Sequence, residues 1–167
     1  STGSAYNVFV GNNAGGGNWA DQDNSNCVGI GAGAMIGALQ GDTTNGTVGI
    51  GRSALAALTT GGGNVAIGYQ ALTAQTSGAR NIAIGKGTLV SADASEDDNI
   101  AIGHEAMAGL NHDDAHRNIA IGSYAGDAMG AFANADNIFI GNNAGGGTWA
   151  TAASLKNIAI GTEAMDG

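Results

Sequence analysis

Short alternations of apolar and small residues recur along the whole chain. Most consist of a branched aliphatic residue, a small residue, a second branched aliphatic residue and a glycine, as in Val65-Ala66-Ile67-Gly68. Phe9 and Phe139 are the exceptions to the small residue. Residues two apart lie on the same side of an extended segment, so each alternation predicts a short strand. We expect the two aliphatic side chains to face the interior. The small residue between them would then face outward and form a subunit interface.

The glycines that close these segments set a regular period. They lie 17 to 20 residues apart and are Gly11, Gly31, Gly51, Gly68, Gly85, Gly103, Gly122, Gly141 and Gly161. A short fixed period indicates a repeat architecture, and helix-pair repeats need roughly 30 residues or more. The sequence therefore predicts an all-β fold, a parallel β-roll or β-solenoid of nine short coils that forms a single repeat domain over 1–167.

Two further columns accompany the glycines. An asparagine stands four residues before the glycine in most coils, at Asn7, Asn64, Asn81, Asn99, Asn118, Asn137 and Asn157. Stacked coils would place these amides about 4.8 Å apart, where they can form a hydrogen-bonded ladder, interrupted at Cys27 and Thr47. After the glycine, an alanine followed by leucine or methionine predicts a second strand or a turn that closes each coil.

Composition narrows the class of protein. With 31 glycines, no proline and only 5% aromatic residues, the chain predicts a thin, repetitive core. The net charge of -9 argues against a nucleic-acid surface, which needs a basic stripe. Cys27 is the one cysteine, so no disulfide forms within the chain. No apolar run is long enough for a membrane span, and we expect no direct membrane insertion.

The repeats carry a resemblance to known fibres. The stretches NVAIGYQAL, NIAIGHEAM and NIAIGTEAM resemble the YadA-like head repeats of trimeric adhesins. They are still more similar to the N-x-A-I-G-x-x-A-L repeats of phage tail fibres and of bacterial trimeric fibre proteins with a C-terminal endosialidase-type chaperone. The resemblance implies a left-handed coil, a homotrimer and an extracellular location, on a bacterial surface or vesicle fibre or a phage tail fibre. We expect the chain to be a piece of a longer fibre.

Several stretches match motifs of catalytic or metal sites only in part. GIGAGA and GIGRSA match the dinucleotide fingerprint, but their glycines belong to the repeat columns, so no cofactor is expected. His104, His112 and His116 are candidate metal ligands, but polar loop residues are usually only solvated, and we expect no metal. The acidic stretch SADASEDDN lacks calcium-loop spacing and predicts a charged, solvated loop. No nucleophile elbow occurs, and an enzyme is not expected.

The aromatic residues are the candidate ligand-binding residues. Trp19 and Trp149 close two nearly identical stretches, NVFVGNNAGGGNWA and NIFIGNNAGGGTWA, in coils one and eight. Tyr69, Tyr124 and Phe132 occupy variable positions. Such rings provide rigid contact area and could stack on sugars. Alternatively, each tryptophan caps the end of the hydrophobic column, because terminal coils of a solenoid need caps.

The resemblance to trimeric fibre repeats implies that the chain is a homotrimeric fibre head or tip. It would adhere to a cell-surface receptor, a glycan or a protein, through its loops and through the grooves between subunits. One alternative is a structural spacer whose fibre carries the binding domain elsewhere, but the loops differ strongly in length and composition, which favours recognition. A second alternative is an ice-binding solenoid, for which the required rank of threonines is missing.

Overall fold

The computed structural model describes residues 6–17, 24–37, 44–93, 95–147 and 153–166. Nine parallel strands form one sheet in chain order, each paired in register with the next. The strands are β1 Val8–Val10, β2 Val28–Ile30, β3 Val48–Ile50, β4 Val65–Ile67, β5 Ile82–Ile84, β6 Ile100–Ile102, β7 Ile119–Ile121, β8 Ile138–Ile140 and β9 Ile158–Ile160. The predicted all-β solenoid is confirmed. Every strand ends one residue before a repeat glycine.

The four residues after each glycine form a turn rather than a second strand. In coil six, the turn after Gly103 remains bonded to both neighbouring coils. The Glu105 N–H donates to the Lys86 carbonyl (2.9 Å), and the Met107 N–H donates to the Ala125 carbonyl (2.9 Å). The backbone ladder of the sheet therefore continues around the corner of each coil.

The two faces of the strands are the reverse of our prediction. The small central residues, such as Ala66, Ala83 and Ala101, are fully buried, whereas the aliphatic residues on either side of them are half-buried or exposed. The expectation of an aliphatic interior and a small-residue outer face is wrong. The reason is the width of the coil, whose interior in coils two to six also holds the buried leucine or methionine of the turn, namely Met35, Leu55, Leu72, Leu89 and Met107. Only a small side chain fits opposite them.

The two phenylalanine exceptions are matched by glycines in the turn. Phe139 takes the place of the central alanine and is fully buried. Gly145 takes the place of the turn leucine, and a Cβ there would lie 2.6 Å from the Phe139 ring. In coil one, a Cβ on Gly15 would lie 2.7 Å from the Phe9 ring. Each phenylalanine is thus accompanied by a turn glycine, which explains much of the stretch that coils one and eight share. Coil seven also has a turn glycine, Gly126, beside Ala120, and there Met129 and the Phe139 ring of the next coil would lie 3.0 Å from an added Cβ.

The asparagine column forms the predicted ladder. The Asn99 side chain accepts a hydrogen bond from the Asn118 N–H (3.0 Å) and donates one to the Ala115 carbonyl (3.0 Å). Its own N–H donates to Oδ1 of Asn81 (2.9 Å). The same forward-reaching pattern occurs at Asn7, Asn64, Asn81, Asn118 and Asn137. These bonds satisfy amides that are mostly buried, and they tie each coil to the next.

Cys27 and Thr47 interrupt the ladder in different ways. The Cys27 thiol donates weakly to the Thr44 carbonyl (3.3 Å), and burial raises the pKa of this thiol. Thr47 is also fully buried, but its hydroxyl has no hydrogen-bond partner among the described residues. An unsatisfied buried hydroxyl lowers stability, so Thr47 weakens the ladder between coils three and four.

Thr47→Asn is expected to raise the free energy of unfolding by about 1 kcal/mol, since the new amide can make two hydrogen bonds that the hydroxyl does not. It would accept from the Asn64 N–H and donate to the Gly61 carbonyl. Urea denaturation followed by circular dichroism measures the change. Thr162→Asn is the control, because asparagine already occupies the equivalent exposed position at Asn12 and Asn142. Equal stability of Thr47→Asn and the native chain would contradict the prediction.

Candidate functional site

The outer side of the sheet carries two columns of branched aliphatic residues. One comes from the first residue of each strand and the other from the third, and we call them together the aliphatic face. Even in the middle of the sheet these side chains reach solvent, with Ile67 36% and Ile121 39% exposed. The strands are in register, so the columns run straight along the stack. The result is a regular, apolar surface.

A second surface borders the aliphatic face where the strands end. Arg52, Tyr69, Lys86 and His104 directly follow the glycines of coils three to six, so they stack at steps of about 4.8 Å. The Arg52 guanidinium lies 4.5 Å from the centre of the Tyr69 ring. His104 packs edge-on against Tyr124 of the next coil, with ring centres 5.1 Å apart. We call these five residues the cationic–aromatic strip.

The charges of this strip are largely uncompensated. Within the described part of the chain, no carboxylate lies within ion-pair distance of Arg52 or Lys86. Nε2 of His104 lies 3.3 Å from a carboxylate oxygen of Glu105. The strip therefore has a cationic end in coils three to five and a histidine–glutamate pair in coil six.

A different column of charges is paired from coil to coil. The residues just before the ladder asparagines alternate in sign, as Arg80, Asp98, Arg117, Asp136 and Lys156. Nε of Arg80 lies 2.6 Å from Oδ1 of Asp98, and Nε of Arg117 lies 2.6 Å from Oδ1 of Asp136. These hydrogen bonds lower the pKa of both carboxyl groups. The two arginines of this column are thus neutralised within the protein.

The acidic stretch before β6 is more deeply built into the fold than expected. Glu96 is fully buried, and its carboxylate accepts a hydrogen bond from the His112 N–H (3.1 Å). Oδ1 of Asp97 accepts a hydrogen bond from the Ala79 N–H (2.6 Å). The prediction of a solvated loop is wrong for Glu96, because its side chain turns inward and anchors the loop of the next coil.

The three candidate metal-ligating histidines lie in different settings. Nδ1 of His112 accepts a hydrogen bond from the Asp114 N–H (3.1 Å). The backbone of His116 forms a parallel bridge with Ala135, and His104 belongs to the cationic–aromatic strip. In the part of the chain that the structure describes, no three His, Cys, Asp or Glu side chains are grouped as metal ligands.

The structure brings together only some of the predicted ligand-binding aromatics. Tyr69 and Tyr124 both lie in the cationic–aromatic strip, whereas Phe132 is half-buried in the loop that leads into β8. Trp19 and Trp149 lie outside the described residues. Sequence reasoning missed Arg52 and Lys86, although aligning the residues after each glycine shows them in one column with Tyr69.

The chain matches no protein-family model, no curated protein and no solved structure. Among the described segments, none forms a helix with the length and apolar character of a membrane span. Support for a function therefore comes from the fold and from its two outer surfaces.

Proposed function

We propose that this chain is a segment of an extracellular homotrimeric fibre that adheres to a receptor on another cell. Its subunits pack through the aliphatic face, and their outer surfaces bind a glycan or a protein. The observation that carries this proposal is the size of that face. Two branched side chains from each strand expose on the order of 1,000 Å², more than the few hundred Å² that a soluble monomer usually exposes.

A second and a third copy of the same chain are the partners that suit this face. Its columns repeat at the rise of one coil, about 4.8 Å, and another copy has the same spacing by construction. Closed symmetry then buries the same patch on every subunit. The number three follows the resemblance to trimeric fibre repeats. Association also adds apolar burial, at roughly 25 cal/mol per Å², to a fold whose own core is thin.

The surfaces outside this interface support adhesion. The loops between coils vary in length and charge, and the cationic–aromatic strip would line the groove between neighbouring subunits, since it borders the aliphatic face. A net charge of -9 keeps such a fibre soluble. A trimer that binds no receptor would instead be a spacer segment of the fibre.

Light scattering is expected to give a mass near three times the 16.2 kDa of one chain. Ile102→Lys should shift this mass to that of a single chain, because the trimer would otherwise bury three lysines without partners. Thr162→Lys adds the same charge at an exposed position off the sheet and should leave the trimer intact. A native chain that is monomeric while retaining its β-sheet signal would disprove the trimer.

A further inference from the structure

We infer that the cationic–aromatic strip is a binding site for an acidic glycan, a saccharide that bears a carboxylate or sulfate group. This inference names the ligand class of the proposed adhesive surface and rests on the proposed function for its biological setting. The site itself lies within one chain, so its binding can be measured whatever the oligomeric state.

Arg52 and Lys86 differ from the arginines of the paired column in having no carboxylate partner. The chain is acidic overall, and Arg80 and Arg117 are each hydrogen-bonded to an aspartate of the next coil. Arg52 and Lys86 have no such partner among the described residues, and both are exposed. Lys156 is also exposed and forms no ion pair among the described residues, but the Asp136 carboxylate of the preceding coil attracts it. Among the described residues, the strip is thus where two uncompensated cations lie near each other, and a soluble anion would bind there.

Tyr69 places an aromatic ring beside the two cations. It lies one coil after Arg52 and one coil before Lys86, so a ring stands between the two cations. The stacked Arg52 guanidinium, 4.5 Å from the ring centre, is partly ordered before any ligand arrives. Less entropy is then lost when it binds an anion. An aromatic surface beside fixed cations suits a ligand with both a charged group and an apolar ring face.

The end of the strip in coil six carries polar groups that can bind sugar hydroxyls. His104 and the carboxylate of Glu105 lie 3.3 Å apart, three coils from Arg52. The glutamate repels an anion there, but an imidazole and a carboxylate can bind sugar hydroxyls. Arg52 and His104 are separated by three coil steps, about 14 Å, which suits an oligosaccharide rather than a single small anion. The acidic sugar should thus lie near Arg52 and Lys86 and a neutral sugar near His104.

Calorimetric titration of the native chain with three probes tests this site. The probes are a sialylated trisaccharide, a sulfated chondroitin hexasaccharide and neutral lactose. Arg52→Gln with Lys86→Gln is expected to weaken binding of the acidic probe by about tenfold or more. The control is Arg80→Gln with Arg117→Gln, which removes the same charge from two arginines that are paired with aspartates and should change the affinity by less than about twofold.

Binding of the sialylated probe would identify a carboxylated ligand, and binding of the sulfated probe a sulfated one. The inference is overturned if neither acidic probe binds, if lactose binds equally well, or if both double variants lose affinity equally. Light scattering separates these failures from failure of the fibre proposal. A trimer that binds neither acidic probe loses only the acidic-glycan site, whereas a monomer that binds one loses only the trimer.

Discussion

Gly103→Ala is expected to lower the free energy of unfolding by about 4 kcal/mol or more, among the largest losses that a single substitution produces. Gly103 has a φ of +138°, a conformation that side chains with a Cβ resist. A Cβ would also lie 2.5 Å from the carbonyl carbon of Gly122 in the next coil. Because both atoms belong to backbone, relief of the clash requires separating two hydrogen-bonded coils. Urea denaturation measures the loss.

Gly161→Ala is the matched control for this substitution. Gly161 has a similar φ of +129°, but a Cβ there would meet nothing closer than the Ala164 Cβ at 4.0 Å. It should therefore show only the cost of the backbone conformation, about 1 to 3 kcal/mol. Equal losses at both glycines would mean that close coil packing contributes nothing. The repeat glycine would then be required for its conformation alone.

Phe139→Ala is expected to cost about 4 kcal/mol, since it leaves a cavity the size of a ring in a fully buried position. Gly145→Leu alone should cost about 3 kcal/mol, because its Cβ would lie 2.6 Å from that ring. The backbone itself tolerates leucine there. Leu55 and Leu72 occupy the equivalent turn position at φ of +52° and +50°.

The double variant Phe139→Ala with Gly145→Leu should come within about 1.5 kcal/mol of the native chain, as expected for a volume-conserving exchange. Thermal and urea unfolding of all four proteins give the coupling energy. Phe139→Ala with Gly15→Leu makes the same two substitutions in coils eight and one, where they do not touch, and their losses should add. If the losses of Phe139→Ala and Gly145→Leu also added, the phenylalanine and the glycine would not compensate for each other.

The period of the sequence was sufficient to predict the nine-stranded parallel sheet, because each strand repeats the same few residue types at the same offsets. It was not sufficient to orient the sheet. Alternation over three residues, as in Ile82–Ile84, separates two faces without saying which one is inside. What decides this is the buried Leu or Met of the turn, which leaves room only for a small side chain such as Ala83. That competition for space appears only when the coil is closed.

The candidate site was less accessible to sequence reasoning. Tyr69 and Tyr124 were identified as single aromatic residues, but their partners Arg52 and His104 lie 17 and 20 positions away and become neighbours only through the stacking of coils. The prediction for Glu96 rested on its charge, whereas its burial depends on the loop that contains His112. Charge and residue type can be read at each position, but which side chains of neighbouring coils touch depends on the register in which the coils stack.

The in-register pairing also has a consequence for how the chain acquires its structure. Every strand pairs with a neighbour no more than 20 residues away in sequence, as between Val8 and Val28, and the first strand makes no pairing with the last. A coil that has folded thus offers a complete strand edge to the coil on either side of it. Folding can therefore start in any coil and spread in both directions. The time needed to complete the stack then scales with the number of coils, because adding one never requires a distant segment to return.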